Sequence, residues 1–143
     1  MQAVTRERVV ARPIHPLHAV LLAGAFPLFL GVLLSDWAYS STYEIQWKNF
    51  ASWLLVGGLV FGGFALLAAL VGWFRGDRRA GRSTLYVLLL LAAWVLGFIN
   101  ALVHAKDAWA SMPAALILSV IVFLLVAVAT WLGFSTFRTG AVQ

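Results

Sequence analysis

Three histidines and a few acidic residues carry most of the proton and ligand chemistry open to this 143-residue chain, which has no cysteine. His15 and His18 stand three apart in "HPLH", where Pro16 suits a first helical turn, so both rings can look out from one face. Such a pair can ligate a metal or a porphyrin, or it can anchor a helix at lipid headgroups by pairing with phosphate or a carbonyl. In "FINALVHAKDAW", Asn100, His104 and Asp107 fall at i, i+4 and i+7, one face of a helix that continues that far. Asp36 closes an apolar run that begins at His18. A buried aspartate and histidine can lock two helices together, or they can handle protons or a quinone.

The elements that must position these residues follow from composition. Hydrophobic residues make up 63% of the chain and charged ones 10%, against roughly 25% charged in a soluble domain. Four apolar stretches, at about residues 17–34, 51–74, 85–103 and 113–134, reach the roughly 20 residues that cross a bilayer. The reading is an all-α, integral-membrane, four-helix up-and-down bundle, a single transmembrane domain over 1–143. Arg6, Arg8 and Arg12 before the first stretch imitate a signal peptide. The apolar run is longer than a signal core, however, and "LLSDWAYSS" offers no small-x-small cleavage site, so the segment is expected to stay. The missing cysteines exclude disulfides, thiolate zinc, iron–sulfur clusters and c-type haem.

Charge sets the direction of the helices. Arg6, Arg8, Arg12, Arg75, Arg78, Arg79, Arg82 and Arg138 belong to the two tails and the second link, while the other links hold only Lys48 and Lys106. The positive-inside rule then puts both termini in the cytoplasm. It also explains the net charge of +5 without nucleic acid. His15 to Asp36 is 21 steps, about 31 Å of helix, so the two ends of this run bracket the bilayer. His104 ends the outward-running third span beside Asp36, and a contact between them, direct or through one water, is expected. His15 and His18 belong at the cytoplasmic face. Haem held by two histidines needs them at matching depth on different helices, and His18 and His104 differ by most of the bilayer.

Other features bear on packing and partners. Gly58, Gly62, Ala65, Ala69 and Gly72 make a 4,3,4,3 stripe of small residues on the second span, for close packing inside the bundle or for a homodimer. Pro27 is expected to kink the first span or leave a carbonyl free. The outer link "SDWAYSSTYEIQWKNF" interleaves Trp37, Tyr39, Tyr43, Trp47 and Phe50 with polar residues. Glu44 and Lys48, at i and i+4, suggest a short helix lying on the membrane; Trp37, Tyr43 and Trp47 can alternatively dock an extracytoplasmic partner. No GxSxG, HExxH or Walker loop is present, and "GGLVFGG" lies inside a span without the following lysine. No catalytic set and no metal centre is assigned.

His15-Pro16-Leu17-His18 followed by Asp36 resembles the opening of a widespread bacterial family of small membrane domains of unknown function, whose His-Pro-Leu-His-Pro start precedes an aspartate by a similar apolar length. "FINALVHAKDAW", Leu118 with Ser119, and "WLGFSTFRTGAV" are similar to that family's third and fourth spans. The chain departs at Ala19, which replaces the second proline, and around Arg82 and Ser83, where many members carry a histidine. A haem between the first and third helices would lack that ligand here. The family is similar in architecture to small b-type cytochromes, and its members occur near or fused to extracytoplasmic dehydrogenases. No activity follows from that likeness; the reading of the chain is a non-catalytic membrane partner or anchor for a respiratory or extracytoplasmic redox protein, in the bacterial cytoplasmic (inner) membrane that the resemblance implies. The alternatives are a haem b or quinone carrier using His15, His18 or His104, and a proton-coupled carrier using Asp36 and His104.

Overall fold

The computed structural model describes residues 15–75 and 82–135. Four helices cover almost all of them: α1 (Pro16–Thr42), α2 (Ile45–Phe74), α3 (Arg82–His104) and α4 (Ala114–Ser135), with a 3₁₀ turn at Ala108–Ser111. All four are long and apolar enough to cross a membrane. Hydrocarbon supplies no hydrogen-bond partners, so a spanning backbone must satisfy itself, and a helix does so within each segment. The arginines of the N-tail, those after Arg75 in the second link and Arg138 lie outside the described residues or their described side chains.

The helices run further than the apolar stretches. α1 continues past Leu34 through Asp36, Trp37 and Tyr39 and ends at Tyr43, a left-handed C-cap residue (φ 55°) whose N–H donates to the Tyr39 carbonyl. α2 starts two residues later, with Glu44 as its N-cap. The expected surface helix therefore does not exist as a separate element: Trp47, Lys48 and Phe50 form the first turns of α2. Continuing the helix keeps backbone groups paired through the interfacial layer, which two shorter helices and a long link would not. Glu44 and Lys48 do not pair. Glu44 accepts a hydrogen bond from Gln46 Nε2 at 2.8 Å, and Lys48 turns towards the end of α3. Pro27 sits inside α1 without ending it.

Each helix packs on two neighbours, α1 on α2 and α4, α3 on α2 and α4. This is the cyclic order of an up-and-down bundle, in which α1 and α3 face each other diagonally and run parallel. One end, the turn end, carries the α1–α2 and α3–α4 connections; the other is the tail end. The axis is filled by Ala25, Phe29, Val32, Leu55, Ala93, Val122 and Val126. Towards the tail end, Leu22, Leu66, Val87, Leu90 and Ala129 continue it.

The stripe on α2 turns inward where it matters. Gly58 and Ala65 are buried, and a Cβ added at Gly58 would lie 3.1 Å from the Phe29 ring. Gly62 on α2 and Gly97 on α3 approach the same ring, with added Cβ atoms at 3.7 and 3.4 Å. Phe29 thus lies in a cradle of glycines from two helices, which lets both backbones come close to α1. These positions of the stripe serve packing inside the bundle; of its glycines, only Gly72, beyond the cradle, has nothing within 4 Å of an added Cβ. Trp94 uses another small residue: its Nε1–H donates to the Leu59 carbonyl at 3.1 Å, across a surface opened by Gly63.

Replacing Gly58 with leucine should drive side-chain atoms into the Phe29 ring and cost about 1–3 kcal/mol. Gly72→Ala should be neutral or slightly stabilising, because alanine is the better helix former and meets nothing there. Reversible unfolding of the two variants in mixed micelles checks the contrast.

Candidate functional site

The polar groups inside the bundle collect at the turn end. Asn100 and His104, four residues apart, share the inner face of the last two turns of α3. α4 runs antiparallel to α3 and starts at Ala114, so Ser119, in its second turn, comes level with Asn100. Asp36, near the end of α1, reaches the same depth from across the diagonal. All four are buried, and Asp36 and Asn100 show 0% exposure.

They form one connected network. His104 Nε2 lies 2.9 Å from Asp36 Oδ1. The Ser119 hydroxyl donates to Asp36 Oδ2. Asn100 Nδ2–H donates to Ser119 Oγ at 2.8 Å, and His104 Nδ1–H donates to the Asn100 carbonyl oxygen at 3.0 Å. Both carboxyl oxygens of Asp36 are therefore engaged, as a carboxyl removed from water requires. Asn100 Oδ1 is the one buried side-chain polar atom of this cluster without a partner.

Lys48 completes the site from α2. Helix α3 ends at His104, where the last carbonyls have no partner within the helix. Lys48 Nζ donates to the His104 carbonyl at 2.8 Å and to that of Lys106 at 3.2 Å. A cation at a helix C-terminus is the favourable placement. Because α3 stops there, Asp107 does not join the face of Asn100 and His104; it is exposed and precedes the 3₁₀ turn.

Aromatic rings cover this end. Tyr39 is buried beneath Tyr43, edge to face at 5.5 Å, and Tyr43 stacks on Trp109 at 5.0 Å and 16°. Trp37 and Trp109 are 63% and 76% exposed. Trp47 is half-buried against Phe50 and offers less surface than its sequence context suggests.

His15 and His18 separate at the tail end. His15 is exposed at the N-cap of α1, while His18 is half-buried with Nε2 2.7 Å from the Tyr86 hydroxyl of α3. Gly133 leaves room for that ring, since a Cβ there would lie 3.3 Å from it. His18 to Tyr86 and Asp36 to His104 are both 68 residues apart in the chain. Each helix therefore advances 18 residues between its two polar contacts, five turns and about 27 Å, which returns to the same face. His18 and His104 cannot sandwich one haem within a single bundle. Among the described residues, no group of three or more His, Asp or Glu gathers as a metal site.

Four membrane-length helices in this order and a buried aspartate bonded to the third helix can now be set beside known families. The family described as predicted membrane protein (DUF2231) matches residues 14–142. This chain belongs to it. No curated protein and no solved structure matches the chain. DUF2231 is a domain of unknown function, so the membership establishes a multi-pass membrane protein and assigns no activity. In this DUF2231 chain the residues that sequence reasoning missed as site members are Ser119, Lys48 and Tyr86. Ser119 is an isolated hydrogen-bonding group in an otherwise apolar run, and the repeated 68-residue separation would have singled out Tyr86.

Removing either partner of the diagonal pair should be costly. Asp36→Ala or His104→Ala each leaves a buried polar group unpaired and should destabilise by about 3–5 kcal/mol. The double replacement should cost less than the two added together by about 0.5–3 kcal/mol, because the coupling is lost only once. A double-mutant cycle in reversible micellar unfolding measures this directly.

Proposed function

We propose that the protein is a non-catalytic membrane partner or anchor subunit that presents its turn end to an extracytoplasmic redox protein. The observation that carries this reading is that the polar network at that end is spent on fastening helices, while Trp37, Tyr43 and Trp109 above it remain exposed. The bundle axis is also packed: the void between Leu22, Phe29, Ala93 and Val126 amounts to about 10 Å³, barely enough for one water. Such a core suits a rigid support better than a solute path. The eight-to-two arginine and lysine bias supports an orientation with both termini in the cytoplasm, which directs the aromatic turn end outward from a bacterial inner membrane. The redox character of the partner comes from the family resemblance.

A second reading, a quinone carrier, has one observation in its favour. His18 Nδ1 is buried without a hydrogen-bond partner while Nε2 is taken by Tyr86. When Tyr86 donates to Nε2, Nδ1 carries a hydrogen that a quinone carbonyl can accept. Haem b has no such support, because His18 and His104 stand at opposite ends of the bundle.

Two measurements test the proposal. Single cysteines at Ser41 and Gly81 in this cysteine-free chain should react with an impermeant thiol reagent in intact cells only at Ser41. A photo-crosslinking residue at Trp109 should then join the chain to an extracytoplasmic redox protein, while the same residue at the lipid-facing Leu124 joins it to lipid. Labelling at Gly81 alone, or equal protein capture at both positions, would overturn the reading. Stabilisation by a short-chain quinone that disappears in His18→Gln would favour the second one.

A further inference from the structure

The hydrogen bonds around His104 fix how many protons the buried pair can hold. Nδ1 lies 3.0 Å from a backbone carbonyl, which only accepts, so Nδ1 carries a hydrogen. Asn100 donates Nδ2–H to Ser119 Oγ, and the Ser119 hydroxyl donates its own hydrogen to Asp36 Oδ2. What remains is the 2.9 Å gap between His104 Nε2 and Asp36 Oδ1, which has room for one hydrogen. On nitrogen it makes an ion pair and on oxygen a neutral pair; both are neutral overall.

Neither neighbouring protonation state fits the same geometry. With the gap emptied, a carboxylate oxygen would face the imidazole lone pair, and a negative charge that has lost its Nε2 hydrogen would sit on a residue with 0% exposure. With a second hydrogen, N–H would face O–H and the buried charge would be positive. Both put an unpaired charge where none is solvated, and separating α1 from α3 relieves it.

We propose that Asp36 and His104 form a one-proton latch between α1 and α3, holding the turn end closed while a single proton occupies the gap and releasing it when the gap is emptied or doubly filled. The groups facing the pair fit this role. From α2, the Lys48 ammonium on the His104 carbonyl disfavours a second positive charge. Tyr39 is the other titratable group of α1 at this level, Lys106 and Asp107 are exposed in the link, and α4 brings no titratable side chain between Ala114 and Ser135. The output is mechanical. α1 ends in Tyr43, stacked on Trp109 of the opposite connection, so release of α1 unstacks the aromatic surface of this end.

The chain has no native cysteine, and Thr42 and Ala105 are both exposed, so a pair of spin labels at these positions reports the separation of the α1 and α3 ends in bilayer discs. Wild type should give one narrow distance near neutral pH and lose that narrow peak towards both acid and alkaline extremes. Asp36→Asn keeps the contacts without the removable proton, since its amide oxygen accepts from Ser119 and its N–H donates to Nε2; it should hold the narrow peak into the alkaline range. A wild-type distance unchanged across pH, or Asp36→Asn losing its peak in parallel with wild type in the alkaline range, would overturn the latch. If Asp36→Asn is broad at every pH, nitrogen NMR of the wild-type His104 ring decides: loss of the Nε2 hydrogen over the interval in which the distance broadens supports the latch, and loss over a different interval refutes it.

Discussion

The structure depends on two hydrogen bonds that join helices which are not packing neighbours. In a four-helix bundle the diagonal pair meets only across the axis, and apolar side chains there allow small slips of one helix along another. His18 with Tyr86 and Asp36 with His104 remove that freedom at both ends, because each bond forms at one rotation and one height of α1 against α3. The 18-residue step on both helices lets both bonds form at once without bending either helix.

Such bonds need the diagonal helices to come close, and small residues make that possible. Gly58, Gly62 and Gly97 surround Phe29 so that α2 and α3 both approach α1. Between lipid-solvated helices no hydrophobic force drives association, so close van der Waals contact and polar bonds carry the packing. Lys48 ties the remaining helix to the same end by capping α3. All four helices thus share one fastened region, with α1, α3 and α4 joined by Asp36, His104 and Ser119.

Much of this was legible from the chain because a membrane reduces the possibilities. Apolar length set the four spans, and the helical step from His15 to Asp36, with the end of the third span, brought Asp36 and His104 to one depth. The boundaries at the turn end were less legible. Tyr39, Tyr43 and Trp47 read as an interfacial link from composition, yet backbone pairing extends α1 and α2 until only Tyr43 and Glu44 remain between them. Asp107 departs for the complementary reason: its place at i+7 assumes a helix that continues past His104, and α3 stops there. Ser119 carries no spacing signal within its own helix, and its partners are set by tertiary register.

The spacing between the two diagonal bonds also makes the bundle a gauge of its surroundings. About 27 Å separates them along the helices, close to the roughly 30 Å of a bilayer's hydrocarbon core. A single helix can tilt to suit a thinner or thicker membrane, but α1 and α3 are pinned to each other at two heights and can only tilt together. Mismatch then falls on the lipid, which must thin or thicken around a body of fixed height. Residence in a membrane of matching thickness becomes a property of the fold itself, set by the five turns between one pair of bonds and the next.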